Sequence, residues 1–97
     1  MQERDYLVIL YDFYGELLTN RQKEYFEDYY FNNLSLSEIS ENLNISRNAI
    51  HKSLKNICDK LIDYEEKLQL YEKNIKLNEI INSISNQQLK DELKQLY

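Results

Sequence analysis

Apolar residues recur at intervals of three and four along almost the whole chain, which is the period of an amphipathic helix. Leu7, Leu10, Tyr11 and Tyr14 predict a first helix over 6–14, with Gly15 placed to end or bend it. Val8, Ile9 and Phe13 widen its apolar surface, so more than one neighbour must cover it. Thr19-Asn20-Arg21-Gln22 reads as a capping box, with Leu18 as its hydrophobic staple. The helix it opens runs to about Phe31. Its Tyr25, Phe26, Tyr29 and Tyr30 sit at helical spacing without interleaved bases, which suits core packing better than base stacking. Asn32 and Asn33 break the pattern. Ser35-Leu36-Ser37-Glu38 is a second capping box and opens a short helix to Leu43, whose core face is Ile39 and Leu43. Asn44 stands where the chain must turn sharply, and Asn tolerates the left-handed conformation. Ile45 then plugs the angle and Ser46 caps the next helix.

From Arg47 the stripe Ile50, Leu54, Ile57, Leu61, Tyr64, Leu68, Tyr71, Ile75 predicts one helix over 47–75, about 43 Å long. A small core covers only its first half. The seam Tyr64, Leu68, Tyr71, Ile75 therefore calls for a partner, and a two-fold homodimer is the commonest one. The charged run Asp63–Lys67 is expected to mark the outward face. Leu77, Ile80, Ile81 and Ile84 predict a short helix within 76–85. Ser85-Asn86-Gln87-Gln88 reads as a third capping box before a last helix over 86–96. These tail helices either fold back on the seam or join a subunit interface. The expected organisation is a four-helix core over 1–60, containing a helix-turn-helix at 35–58, and a helical extension over 61–97.

Composition sharpens this. Among 97 residues there is one Gly and no Pro, which disfavours a sheet fold rich in tight turns and predicts an all-α chain. The apolar run Leu7–Tyr11 is too short to cross a membrane. A single cysteine, Cys58, makes no intrachain disulfide and suits the reducing cytoplasm. Enzyme chemistry finds no foothold. There is one His and no glycine-rich phosphate loop, and the paired acids Glu65/Glu66 and Asp91/Glu92 point apart on a helix. No cofactor, metal or catalytic residue is expected.

The formal net charge is −5, yet Arg47, Lys52, Lys55 and Lys60 against Asp59 make residues 46–60 positive. A short helix, a tight turn and a longer helix with a basic first half is the helix-turn-helix layout. Ile39, Ile45 and Ile50 would meet in the angle, with Ser40 and Ala49 small enough for close approach. Arg47, Asn48, His51, Lys52 and Lys55 would then face outward, and they include types that read base edges and neutralise phosphates. Ser37 and Ser46 stand at helix starts, where free N–H groups meet phosphate. Asn20, Arg21 and Lys23 are further backbone contacts from the second helix. The expected partner is the major groove of double-stranded DNA. The alternative is a non-catalytic protein- or RNA-interaction module that keeps the fold without specific DNA binding.

The stretches LYDFYGELLTNRQKEYFEDYY (10–30), LSLSEISENLNISRNAIHKSLK (34–55) and KLIDYEEKLQLY (60–71) resemble the YlxM family of small bacterial proteins. The resemblance covers about residues 5–72. It implies a helix-turn-helix of the winged-helix-like/sigma region-four type, with a long helix and a C-terminal helical tail. It also implies a DNA-binding regulatory role and an association with the signal recognition particle pathway. Ser46-Arg47 and Ala49-Ile50 match the family's motif, as does Ile39. Ser40 stands where the family usually has Ala, and Asn44 replaces a frequent turn Gly.

Overall fold

A computed structural model describes residues 3–96. Its order is α1 (Arg4–Tyr14), a 3-10 turn (Gly15–Leu17), α2 (Asn20–Tyr30), α3 (Leu36–Leu43), α4 (Arg47–Leu68), α5 (Leu70–Asn82) and α6 (Gln87–Lys94). The protein is all-α. Among the described residues there is no strand, so the motif carries no β-wing. No helix among them is long and apolar enough to cross a membrane.

The first four helices start and stop for the reasons their sequences give. The Thr19 hydroxyl accepts from the Gln22 N–H (3.2 Å), and the Gln22 side chain accepts from the Thr19 N–H (3.0 Å). Ser35 and Glu38 do the same for α3, which holds the Glu38 carboxyl below its usual range. Asn44 takes the left-handed conformation (φ 54°) that turns the chain between α3 and α4. Ser46 accepts from the Ala49 N–H at 3.1 Å and caps α4. One detail differs. Leu18 does not staple α2, because the partner position is Lys23; it is buried in the core instead. Gly15 does end α1, and does so in a right-handed conformation (φ −55°). It is needed for space: a Cβ there would lie 3.2 Å from the Tyr11 ring.

α1, α2 and α3 all pack on α4. Leu7, Leu10, Tyr14, Phe26, Ile39, Ile50, Ile57 and Leu61 are almost wholly excluded from water. Tyr11 stacks on Phe26 (4.3 Å between centroids) and Phe26 on Tyr30 (4.4 Å), so the aromatic face of α2 is spent in the core.

The long helix is where expectation and structure part. α4 stops at Leu68, and Gln69 adopts φ 55°, left-handed, before α5 begins. The cause lies in α1. The buried Glu65 carboxylate accepts the Tyr14 hydroxyl (2.5 Å) and the N–H groups of Tyr71 (3.1 Å) and Glu72 (3.2 Å). The Tyr14 oxygen in turn accepts the Leu70 N–H (3.0 Å). Three orphan donors at the start of α5 are thus satisfied by one buried pair. The run Asp63–Lys67 is accordingly not all outward-facing. Asp63, Glu66 and Lys67 are exposed, but Glu65 is buried.

The seam is also covered differently. Tyr64 lies 5.8 Å from Tyr14, and Tyr71 lies 6.1 Å from Tyr6 and 5.9 Å from Phe13. So α1 covers the seam's tyrosines in cis. The tail does not fold back along α4; α5 packs on α1, where Tyr71 meets Tyr6 and Phe13, and on α6. The tail boundaries move too. α5 reaches Asn82 as one helix, and α6 is capped by Asn86, not Ser85, through the Leu89 N–H at 3.0 Å. The third position of α6 is Leu89, so no reciprocal glutamine bond forms there.

Candidate nucleic-acid interface

The site begins with the turn that aims α4. The Ser40 hydroxyl donates to the Ile45 carbonyl at 2.5 Å, and the Ile45 N–H returns to the Ser40 carbonyl at 3.1 Å. Ser40 thus ties the two helices of the motif together. Ile39 and Ile50 are fully buried in the angle, and Ile45 and Ala49 are half-buried beside them.

With Ile50, Leu54, Ile57 and Leu61 committed to the core, helical periodicity fixes what lies elsewhere on α4. Lys52 and Asn48 fall on the opposite side, and His51 and Lys55 on one flank. Arg47 occupies the first turn. All five are exposed. Among the described residues the ion pairs are Lys23–Glu16 (3.3 Å), Lys67–Asp63 (2.9 Å) and Lys76–Glu72 (3.4 Å), and no carboxylate pairs with Arg47, Lys52 or Lys55. Their charge is uncommitted.

The other expected contacts divide. Ser46 and Ser37 are exposed at the starts of α4 and α3. Ser46 spends an oxygen lone pair on the cap and keeps its proton to donate. Ser37 sits beside the acidic Glu38, which opposes a phosphate there. Arg21 is exposed at the second position of α2, apart from the α4 group. Asn20 is exposed at the start of that helix. Lys23 is drawn to Glu16 with its side chain three-quarters covered, so it is not a free contact.

Two features had no signal in the sequence. His51 and Lys55 flank a cleft of about 650 Å³ floored by Tyr29, Tyr30, Leu54 and Ile62. Cys58 also lines it, with its sulfur 3.4 Å from the Tyr30 hydroxyl, and burial pushes this thiol's pKa up, away from reactivity. The second feature is Arg4. Its guanidinium donates to the carbonyls of Tyr29 (3.3 Å) and Tyr30 (2.5 Å) and to Asn33 (2.8 Å), and lies 5.1 Å above the Tyr30 ring. This cation closes the end of α2.

The family model described as "Putative helix-turn-helix protein, YlxM / p13 like" matches residues 1–96. The chain belongs to the UPF0122 family. Similar members include a UPF0122 protein of Ureaplasma parvum serovar 3, 46% identical over 97% of this chain and 95% of its own length. One of Caldanaerobacter subterraneus subsp. tengcongensis is 49% identical over 81% of this chain and 68% of its own. One of Staphylococcus epidermidis is 40% identical over 91% and 80%. The family description agrees with the α3–turn–α4 unit and the all-α architecture around it. The UPF0122 match reaches residue 96, so the tail belongs to the family unit as well as the motif.

Proposed function

We propose that this protein binds double-stranded DNA by laying the first half of α4 in a major groove, as a cytoplasmic, non-catalytic regulator. One observation carries the reading: Arg47, Asn48, His51, Lys52 and Lys55 are all exposed on a capped, core-anchored helix, with the three permanent cations free of carboxylate partners. Arg47 and Asn48 are the base-reading types, and Lys52 and Lys55 supply phosphate contacts. The acidic remainder of the chain lowers overall affinity and keeps attraction local to this face. Anisotropy of labelled genomic fragments, followed from about 50 to 200 mM salt, tests it. Binding weakens with salt, and each lysine replaced by Ala lowers the slope of log K against log salt by about one. Binding that ignores salt, or is unchanged in the Arg47→Ala/Lys52→Ala/Lys55→Ala variant, contradicts the proposal.

A second reading draws on the exposed apolar residues of α5 and α6 and on the acidic balance. It makes the protein an interaction module for a protein or RNA-containing particle, with signal recognition particle components as the candidates. Co-purification of those components from cells, surviving nuclease, favours it over DNA binding.

A further inference from the structure

The cleft on the flank of α4 is built by all four core helices. Leu7 of α1, Tyr29 of α2, Leu36 of α3, and Leu54 and Ile62 of α4 give it apolar walls. Its volume of about 650 Å³ falls within the roughly 300–1,000 Å³ of small-molecule sites, which share this plan of apolar walls and a few polar groups. A duplex laid along Arg47, Asn48 and Lys52 makes no use of those walls, because its contacts are to phosphates and base edges.

The polar groups are ordered along the cleft. His51 and Lys55 stand one turn apart on α4, and Asp59 follows one turn later. Ile62 then separates the cleft from a recess lined by Glu3, Tyr6 and Glu66. One end is therefore basic and the other acidic. Lys55 and Asp59 have the spacing of a helical ion pair, yet among the described residues neither is in one. Arg4, 5.1 Å above the Tyr30 ring, adds a positive charge behind that wall. The Tyr30 hydroxyl has only the Cys58 sulfur at 3.4 Å, a weak partner that leaves it free to donate to an oxygen. A cation entering here meets Lys55 and Arg4, and a dianion meets Asp59. A single carboxylate on an apolar body meets neither conflict, because its charge lies with His51 and Lys55 and its body lies along the apolar walls.

We infer that this cleft binds a small carboxylate with an apolar, ring-sized body, the carboxylate held by Lys55 and His51 and the body lying between Tyr29, Leu36 and Ile62. The binding itself does not depend on DNA. Its consequence rests on the DNA reading: a ligand that holds Lys55 and His51 withdraws them from the groove, so ligand and duplex each weaken the other's binding.

The test titrates the nitrogen-15-labelled full chain, without DNA, with sodium 2-naphthoate. Parallel titrations use 2-naphthylmethanol and 2-naphthylmethylammonium, which keep the body and change the charge. Naphthoate should give saturable amide shifts centred on Tyr29, Tyr30, Leu36 and residues 51–62, with a Kd below about 1 mM. The alcohol and the ammonium should bind at least about tenfold more weakly. Lys55→Gln changes an exposed side chain and should bring naphthoate down to the affinity of the alcohol. Arg47→Ala/Lys52→Ala lies outside the cleft and should weaken DNA binding while naphthoate binding stays, so the two readings fail separately. With DNA present, saturating naphthoate should lower the slope of log K against log salt by about one, the share of Lys55. No shifts at about 5 mM naphthoate overturn the inference, as do shifts centred outside the cleft. Equal affinity for the three probes, or a carboxylate preference that survives Lys55→Gln, overturns it as well.

Discussion

Tyr14 and Glu65 show how much of this molecule rests on one buried polar contact. Neither has a solvent alternative, and together they terminate one helix and start another. Glu65→Ala leaves a hydroxyl and two N–H groups without their acceptor and should cost about 3 kcal/mol in urea unfolding; Tyr14→Phe should cost about 2 kcal/mol. The pair also sets an alkaline limit. Burial, and then the Glu65 carboxylate, push the Tyr14 phenol from 10.0 up to about 12. Between those values the unfolded chain has released a proton that the folded chain retains. Stability is therefore complete below pH 10 and falls as pH rises from 10 to 12. Tyr14→Phe should shallow that fall, measured by thermal melts across the window. Tyr11 and Tyr30 are raised as well, by burial and by their Glu27 and Cys58 contacts, and sustain the remainder. Nothing in a sequence separates Glu65 from Glu66, since both lie in one charged run. Only the presence of α1 beside that turn of α4 does.

At the scale of elements, stops written in local chemistry were legible and stops imposed by tertiary contacts were not. Thr19, Ser35, Asn44 and Ser46 act within four residues of themselves, and each does what its type and position imply. Gln69 has no such signature. It is neither Gly nor Pro, and the apolar spacing runs through it without a break, so the bend between α4 and α5 exists because Tyr14 and Glu65 reach the α5 donors. Asn44 and Gln69, two of the three left-handed residues among those described, should respond alike to a side chain that gains nothing from that conformation. Asn44→Ala should destabilise by about 1 kcal/mol, read from the denaturation midpoint at constant slope. Gly15→Ala should cost about 1–2 kcal/mol for a different reason. Its methyl meets the Tyr11 ring, which cannot withdraw because its hydroxyl is bound to Glu27 at 2.5 Å and its face is stacked on Phe26.

The whole molecule is a compact helix-turn-helix core with an elongated arm, and the two parts were unequally readable. Every α4 residue assigned to the binding face from the sequence is exposed, because a strongly patterned helix leaves only one arrangement of its outer side. On the second helix, Asn20 and Arg21 are exposed, whereas Lys23 has an internal partner that only folding brings near. The course of the arm stayed open in the sequence for the same reason that the bend left no signal, since its direction depends on contacts fifty residues away in sequence. The central claim, that the outer side of α4 meets the DNA, is tested most directly by titrating the nitrogen-15-labelled protein with a short duplex at low salt. The account predicts amide shifts concentrated on Ser46–Lys55 and the start of α3, with α5 and α6 unmoved. Shifts confined to the arm, or none at saturating duplex, would contradict it.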